Sequence, residues 1–222
     1  ETGISSKVAT RPEYKSNRPK DHGSIYNQLW IIKKSLDILN IRWIANKELE
    51  ADDVIGIYST QSRATNNNVF IGSNDYDFLQ LVSNNLTVAR GHHSKTELFT
   101  KNSVINKFGV SPVCYIDYKA LKGDSSDNIK GISGIGSQRA AELISKYGTI
   151  EQIYESYNSL EDRYKKLLDN KKEFLLETRD FLRIKTDSKK VKLNIEKNLL
   201  INKQIPDKMG SFLDENWEYL KI

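Results

Sequence analysis

Seven carboxylates in three short segments are the part of this 222-residue sequence best equipped for chemistry. Glu50-Ala51-Asp52-Asp53 sets three acids in four positions. Asn74-Asp75-Tyr76-Asp77 supplies two acids with one residue between them, and Gly123-Asp124-Ser125-Ser126-Asp127 adds two acids three apart. Carboxylate oxygens are the hard ligands Mg²⁺ takes, a few at a time, beside water and substrate phosphates. A pair of ions about 3.5–4 Å apart needs several such groups, drawn from different parts of a chain. Any one segment would pass for an ordinary helix start or turn. Together they point to a divalent metal centre. Ca²⁺ is the second choice of ion, because the spacing of an EF-hand loop with its distant Glu is missing.

The charge distribution sharpens this reading. The chain carries +5 overall, yet residues 48–81 hold six acids (Glu48, Glu50, Asp52, Asp53, Asp75 and Asp77) against Arg63 alone, a net −5 that leaves +10 elsewhere. A basic surface suits DNA or RNA. An acidic island would repel that polyanion unless cations sat between them. The Lys-rich C-terminal third fits a solvated face as well as it fits a nucleic-acid surface.

A second constellation is Gly131-Ile132-Ser133-Gly134-Ile135-Gly136-Ser137, running directly into a predicted helix. Glycines let backbone approach a ligand and take positive φ, and amides at a helix start bind phosphate. The alternation predicts a hairpin that buries Ile132 and Ile135 and presents backbone. It lacks the Gly-Lys-Ser/Thr of a P-loop, and the pattern places no strand before it. A third candidate is Pro12-Glu13-Tyr14-Lys15-Ser16-Asn17-Arg18, where an aromatic beside cations could stack on a base and hold a phosphate. His22, His92 and His93 lack zinc spacing, and nothing suggests a Ser-His-Asp or Cys-His nucleophile. Trp30, Trp43 and Trp217 read as packing residues. The lone Cys114 excludes an internal disulfide framework and suits a reducing compartment, so a cytoplasmic location is the default. Without a long apolar run, a membrane span is not expected.

The elements that must position these residues follow from periodicity. Residues 1–23 read as irregular or partly helical. Ile25, Leu29, Ile32, Leu36 and Leu39 predict a helix over about 24–40. Ile41–Ala45 predicts a short strand, Asp52 to Arg63 a helix, Val69–Gly72 a strand, Phe78–Val82 a short helix and Leu86–Arg90 a strand. Such alternation predicts a parallel α/β sheet, with both early acidic segments beyond strand ends. From Thr100 the pattern is helical: Lys101–Phe108, Pro112–Lys122, Ser137–Tyr147, Ile150–Tyr157 and basic helices from 160 to 185. Gly109 and Gly148 stand at helix stops, and Thr149 with Gln152 forms a predicted capping box.

The strings LEADDVIG (49–56), SNDYDFLQLV (73–82) and GDSSDNIKGISGIGSQRAAELISKYG (123–148) resemble the bacterial and bacteriophage 5′–3′ exonucleases, a family that includes the 5′-nuclease domain of bacterial DNA polymerase I and phage flap endonucleases. PEYKSNRP (12–19) looks like that family's arch. The resemblance implies a PIN-like α/β nuclease core over residues 1–105, with an arch segment at about 12–40, and a helical helix–three-turn–helix region over 106–222. It implies hydrolysis of phosphodiesters at 5′ ends and 5′ flaps of DNA, with RNA–DNA hybrids as a further substrate, in replication, primer removal or repair. The implied cofactors are Mg²⁺ or Mn²⁺ at a two-metal site, with K⁺ at the glycine hairpin. Carried over by position, Glu50, Asp52, Asp53, Asp75, Asp77, Asp124 and Asp127 are metal-site residues, and Lys15 and Arg18 are catalytic. Tyr14, Lys15, Arg18, Gly131, Ile132, Gly134, Ile135, Gly136, Ser137 and Arg139 make up the implied DNA-binding segments. A monomer in the cytoplasm, that of the host if phage-encoded, completes the expectation.

Two departures stand out. The family opens with a strand bearing an Asp ligand, and a second Asp follows another early strand; this sequence starts after the first, and Glu1 falls near the second. The alternative expectation is therefore a catalytically incomplete, structure-specific DNA-binding fragment that needs a missing N-terminal piece. Lys130 stands where cellular relatives often carry Pro, adding charge to the face expected to meet DNA.

Overall fold

The computed structural model describes residues 6–17, 23–46, 49–92, 95–187, 209, 211–212 and 215. Glu1, Arg18, His22, His93 and Trp217 lie outside them. By contacts the chain forms two units, one of residues 1–17 with 47–192 and one of 18–46 with 193–222.

In the first unit, α1 (Ser6–Thr10) leads into turns that run to Asn17. The second unit holds α2 (Gly23–Ile38), close to the helix its periodicity predicts. There Trp30 meets Phe212 edge-on at 6.2 Å between centroids. The strand expected at Ile41–Ala45 does not form, and residues 42–45 are exposed coil. Trp43 instead turns back on its own helix, donating Nε1–H to Asp37 at 3.0 Å beneath the Lys33 ammonium. Five apolar-leaning residues are too short a run to dictate pairing.

The rest of the first unit begins at α3 (Ala51–Ala64), with Asp52 and Asp53 in its first turn, where the helix dipole favours anions. β1 (Val69–Gly72) and β2 (Leu86–His92) pair in parallel, from Val69 opposite Leu86 to Gly72 opposite Ala89. Between them a 3₁₀ turn spans Tyr76–Leu81. β3 (Lys95–Phe99), which the sequence pattern does not announce, pairs antiparallel with β2. The three-stranded sheet is therefore mixed rather than parallel. Only two residues separate β2 from β3, and so short a connection permits antiparallel pairing alone.

From α4 (Lys101–Phe108) onward the described chain is mostly helical. Thr100 and Ser103 box its start, and Gly109 closes it at φ 72°. A 3₁₀ turn at Pro112–Cys114 leads into α5 (Tyr115–Lys122), which is buried from Tyr115 through Leu121. Two-residue strands β4 (Gly123–Asp124) and β5 (Ile129–Lys130) then pair antiparallel. A strand thus does precede the glycine hairpin, contrary to expectation. α6 (Ser137–Tyr147), α7 (Ile150–Glu155), α8 (Asp162–Leu168) and α9 (Lys172–Leu182) follow. The Thr149–Gln152 capping box and the Gly148 stop form as predicted. One hydrophobic cluster runs from Ile71, Phe78, Val88 and Phe99 through α5 to Leu143, Ile153, Leu175 and Ile184. The sheet and the helices that follow it in this unit share that core.

Candidate metal centre

α5 is the element that draws the acidic segments together. It buries Tyr115 and Tyr118, and Lys119 on the same side is buried with them. A lysine ammonium is almost never taken from water without partners. Here it bridges two segments, in contact with the Asp77 carboxylate and 2.6 Å from Asp124. The 3₁₀ turn after β1 supplies Asp77, and the β4 turn supplies Asp124 and Asp127. Carboxylate oxygens of Asp77, Asp124 and Asp127 lie within 4.8 Å of one another. A cavity of about 550 Å³ opens beside them, lined by Asp75, Asp77, Asp124, Lys119, Lys122 and Ser137 among others.

Local hydrogen bonds fix each turn. The Asp75 carboxylate accepts the Asp77 amide at 2.8 Å, and Asp75 donates its own amide to Ser73 Oγ at 3.1 Å. Asp124 accepts the Ser126 amide at 2.9 Å and its hydroxyl at 2.6 Å. Asn128 takes the left-handed conformation at φ 56° that turns the chain back into β5.

The N-terminal turn docks on this loop. Lys15 donates its amide to the Asp127 carbonyl at 3.1 Å. Asn17 bonds the Ser125 carbonyl at 3.0 Å, and Asn128 donates to the Glu13 carbonyl and the Ser16 hydroxyl. Lys15 is thereby held beside the acids, close enough for its charge to act on Asp52. Tyr14 is buried, edge-on to Phe181 at 5.0 Å and with the Lys15 ammonium 4.7 Å from its ring. Burial pushes its hydroxyl up, and Asp127, Glu50, Asp77 and Asp52 add to that. The structure therefore places Tyr14 in the core.

The electrostatics are those of crowded anions. Burial, then repulsion from Asp75, Glu50 and Asp77, lifts Asp52 to about 6 against the pull of Lys15. Burial likewise raises Asp77, and Lys119 does not fully offset it. Asp124 is also penalised by burial, but Lys119 and the Ser126 bonds outweigh that and hold it at about 2. The two ends of one bridge respond oppositely because Asp77 also faces Asp75, whereas Asp124 also accepts the Ser126 amide and hydroxyl.

The remaining acids of the set are placed differently. Glu50 is buried with the Lys7 ammonium 3.4 Å away. Asp53 is buried beneath Lys185, accepting its amide at 2.9 Å with the ammonium 3.1 Å from the other oxygen. Gly56, one turn on, lets that segment close down: a Cβ there would stand 2.6 Å from the Lys185 carbonyl. In the hairpin, Ile132 and Ile135 are buried while Ser133, Gly134, Gly136, Ser137 and Arg139 are exposed, as the alternation predicts. Gly131 packs against the α5 end, where a Cβ would meet the Gly123 nitrogen at 2.3 Å. Gly134 sits at φ 85°, and Arg139 donates to its carbonyl at 2.7 Å. Lys119 is the site residue the sequence pattern missed. Its signal was a lysine on the same helical face as Tyr115, Tyr118 and Lys122.

Comparison with known proteins agrees with this geometry. A family model described as 5′-3′ exonuclease, N-terminal resolvase-like domain, matches residues 3–109, and one described as 5′-3′ exonuclease, C-terminal SAM fold, matches residues 110–208. DNA polymerase I of Lactococcus lactis is 32% identical over 207 residues, 91% of this chain and 24% of that protein. The 5′-3′ exonuclease of Mycoplasma pneumoniae is 38% identical over 151 residues, 67% of this chain and 52% of that one. The chain thus spans about half or less of the curated relatives it matches. A bacteriophage T5 protein crystallised with metal ions superposes with a TM-score of 0.67 at 21% identity, covering 81% of this chain and 70% of its own. A bacteriophage T5 flap endonuclease in a complex with DNA and metal ions gives 0.65 at 21% identity with the same coverage. Both share the fold. Among the described residues, no helix is long and apolar enough to cross a membrane.

Proposed function

Because the chain belongs to the 5′–3′ exonuclease family, we propose that it is a metal-dependent nuclease that hydrolyses phosphodiesters at 5′ ends or 5′ flaps of DNA. The observation that carries this is the convergence of Asp77, Asp124 and Asp127, from two distant turns, to within 4.8 Å inside a chain of net charge +5. An all-oxygen anionic donor set is what Mg²⁺ or Mn²⁺ takes. Asp77, Asp124 and Asp127, with Asp75 and Asp52 beside them, would hold the ions, Glu50 and Asp53 lending further negative charge. When bound, such ions supply an activated water and neutralise charge developing on the phosphate.

The chain's own residues do the rest. Lys119 favours the ionised forms of Asp77 and Asp124 and ties the two turns together. Lys15, fixed to the Asp127 carbonyl, offers a cation to the scissile phosphate, and Arg18 follows it in sequence. Tyr14 anchors that turn on Phe181 and would meet a base only by leaving its pocket. The backbone of the exposed Gly134, Gly136 and Ser137, with Gly131 behind them and with Arg139, grips the duplex sugar-phosphate; K⁺ is the ion proposed there. Residues to about 105 act as the nuclease core and 106 onward as the DNA-binding region. RNA–DNA hybrids, a monomeric state and a cytoplasmic setting belong to the same proposal. Binding without cleavage is the less favoured reading, since acids gathered against DNA repel it unless metal lies between.

The test is a 5′-flap duplex with Mg²⁺, beside a 3′-flap control. Cleavage of the 5′ flap that disappears in Asp75→Asn, with binding retained, supports the proposal. Binding by the parent with no cleavage would favour the binding-only reading.

A further inference from the structure

Tyr76 lies between Asp75 and Asp77, and it is held by a residue that plays no part in the proposal above. Arg90, on β2, donates Nε–H to the Asn74 carbonyl at 3.2 Å and a second N–H to the Tyr76 hydroxyl. Its guanidinium carbon stands 4.1 Å from the Tyr76 ring centroid. The β1–β2 ladder ends where Ser73 donates to the Ala89 carbonyl at 3.0 Å. Past that bond the Arg90 side chain reaches across from β2 to the Asn74 carbonyl.

The surroundings leave that guanidinium to the loop. Glu97 lies opposite Arg90 in the β2–β3 register, but its carboxylate accepts the Lys107 ammonium at 2.9 and 3.1 Å. Lys107 in turn stands 5.5 Å from the Tyr76 ring. Phe99 and Phe108 meet the same ring edge-on at 5.8 and 5.5 Å. One planar, five-donor group thus joins a strand to both the backbone and the side chain of the acid-bearing loop, a geometry a lysine cannot reproduce.

We infer that Arg90 is a positioning residue for Asp75 and Asp77. It ties β2 to the Asn74 carbonyl by one side-chain bond and clamps Tyr76, so that Asp77, with Asp75 beside it, is presented to Asp124 and Asp127. The inference rests on the metal-centre reading. Groups that orient ligands from behind typically cost 10–100-fold in metal affinity when removed.

The test is Mn²⁺ binding, followed by electron paramagnetic resonance, with amide hydrogen exchange over residues 74–77 measured on the same metal-free samples. Arg90→Ala should weaken Mn²⁺ by about tenfold and speed exchange in the loop. Arg90→Lys should recover part of both losses, and Tyr76→Phe, which keeps the ring and removes one acceptor, should fall between parent and Arg90→Ala. Lys107→Ala, which touches the ring but neither acid's backbone, should bind Mn²⁺ like the parent. Parent-like Mn²⁺ affinity and exchange in Arg90→Ala, with a parent that binds Mn²⁺, would overturn this inference alone. A parent that binds no Mn²⁺ would overturn the metal-centre reading with it. Should Arg90→Ala fail to fold, Tyr76→Phe decides: unchanged affinity and exchange count against the clamp.

Discussion

Replacing Lys119 by Met keeps the bulk and apolar stem of the side chain and removes one charge from the middle of the acid cluster. In the folded protein Asp124 drops from 3.8 to about 2, against the effect of burial, chiefly because Lys119 is beside it. At about 1.4 kcal/mol per pH unit this is at most ~2.5 kcal/mol, and the solvent that still reaches Asp124 reduces it to ~1–2 kcal/mol. Asp77, already raised by burial, loses its compensating cation as well. Breaking a fully buried pair costs about 3–5 kcal/mol, and removing the lysine's own desolvation penalty returns part of that. The expected net loss is ~2–3 kcal/mol at neutral pH without metal. At about 2–4 °C per kcal/mol for a chain of this size, the midpoint should fall by roughly 4–12 °C. The sign with pH follows from the depressed Asp124: its contribution is complete above about pH 4 and fades as pH falls through its folded value near 2. The gap between parent and variant should therefore narrow below pH 4. Excess Mg²⁺ should also narrow it, because the variant's acid cluster has lost its competing ammonium, binds the ion more tightly and so gains more from it than the parent does. Thermal and urea unfolding in chelator, across pH and then with Mg²⁺, measures all three effects. A variant as stable as the parent at neutral pH without metal, or a gap that widens on acidification, would refute the bridge as the element that holds the cluster.

Two further outcomes follow from the same geometry. Asp52, lifted to about 6, binds its proton better in the folded than in the unfolded chain, so its ionisation weighs against folding above pH 6 and ceases to do so near pH 4. Asp52→Asn should thus stabilise the metal-free protein by about 1 kcal/mol at pH 7.5, show no gain near pH 4, and lose most cleavage; urea titrations at both pH values check it. Gly134→Ala places a Cβ at φ 85° and 3.2 Å from Leu167, for a cost of about 1–2 kcal/mol. It should weaken duplex binding while leaving Mn²⁺ affinity at the parent value, as binding titrations on a blunt duplex would show.

The helices were the legible part of this sequence. α4 and α6 end at Gly109 and Gly148 and α7 begins at the Thr149–Gln152 box, because stops and caps are local chemistry, while α7, with no stop residue to mark it, ends at Glu155 rather than Tyr157. The glycine hairpin was legible for the same reason, since Ile132 and Ile135 at their spacing have only one core to enter. β3 was not, because four of its five residues are exposed and no alternation marks it. Ile41–Ala45 misled in the other direction: Trp43 turns back onto Asp37 and Lys33, and residues 42–45 stay exposed, with no strand partner among the described residues. For the site, carboxylate clusters announced themselves by composition, but their neighbours did not. Lys119 looks like one more surface lysine until α5 is packed, and Asp53 gives no sign of its pairing until Lys185, far along the chain, closes over it. Such assignments depend on tertiary burial, which a linear pattern carries only as the face a residue shares.

The central claim is that these acids serve a divalent metal that cuts DNA at a 5′ end. Single-turnover cleavage of a 5′-labelled flap duplex, titrated with Mg²⁺ and compared between the parent and Asp77→Asn/Asp124→Asn, tests it most directly. The account predicts no product in chelator, a rate that rises with Mg²⁺ to a plateau in the parent, and a loss of at least 10²-fold in the double variant with flap binding retained. Cleavage that persists in chelator, or that the double variant performs at the parent rate, would contradict it.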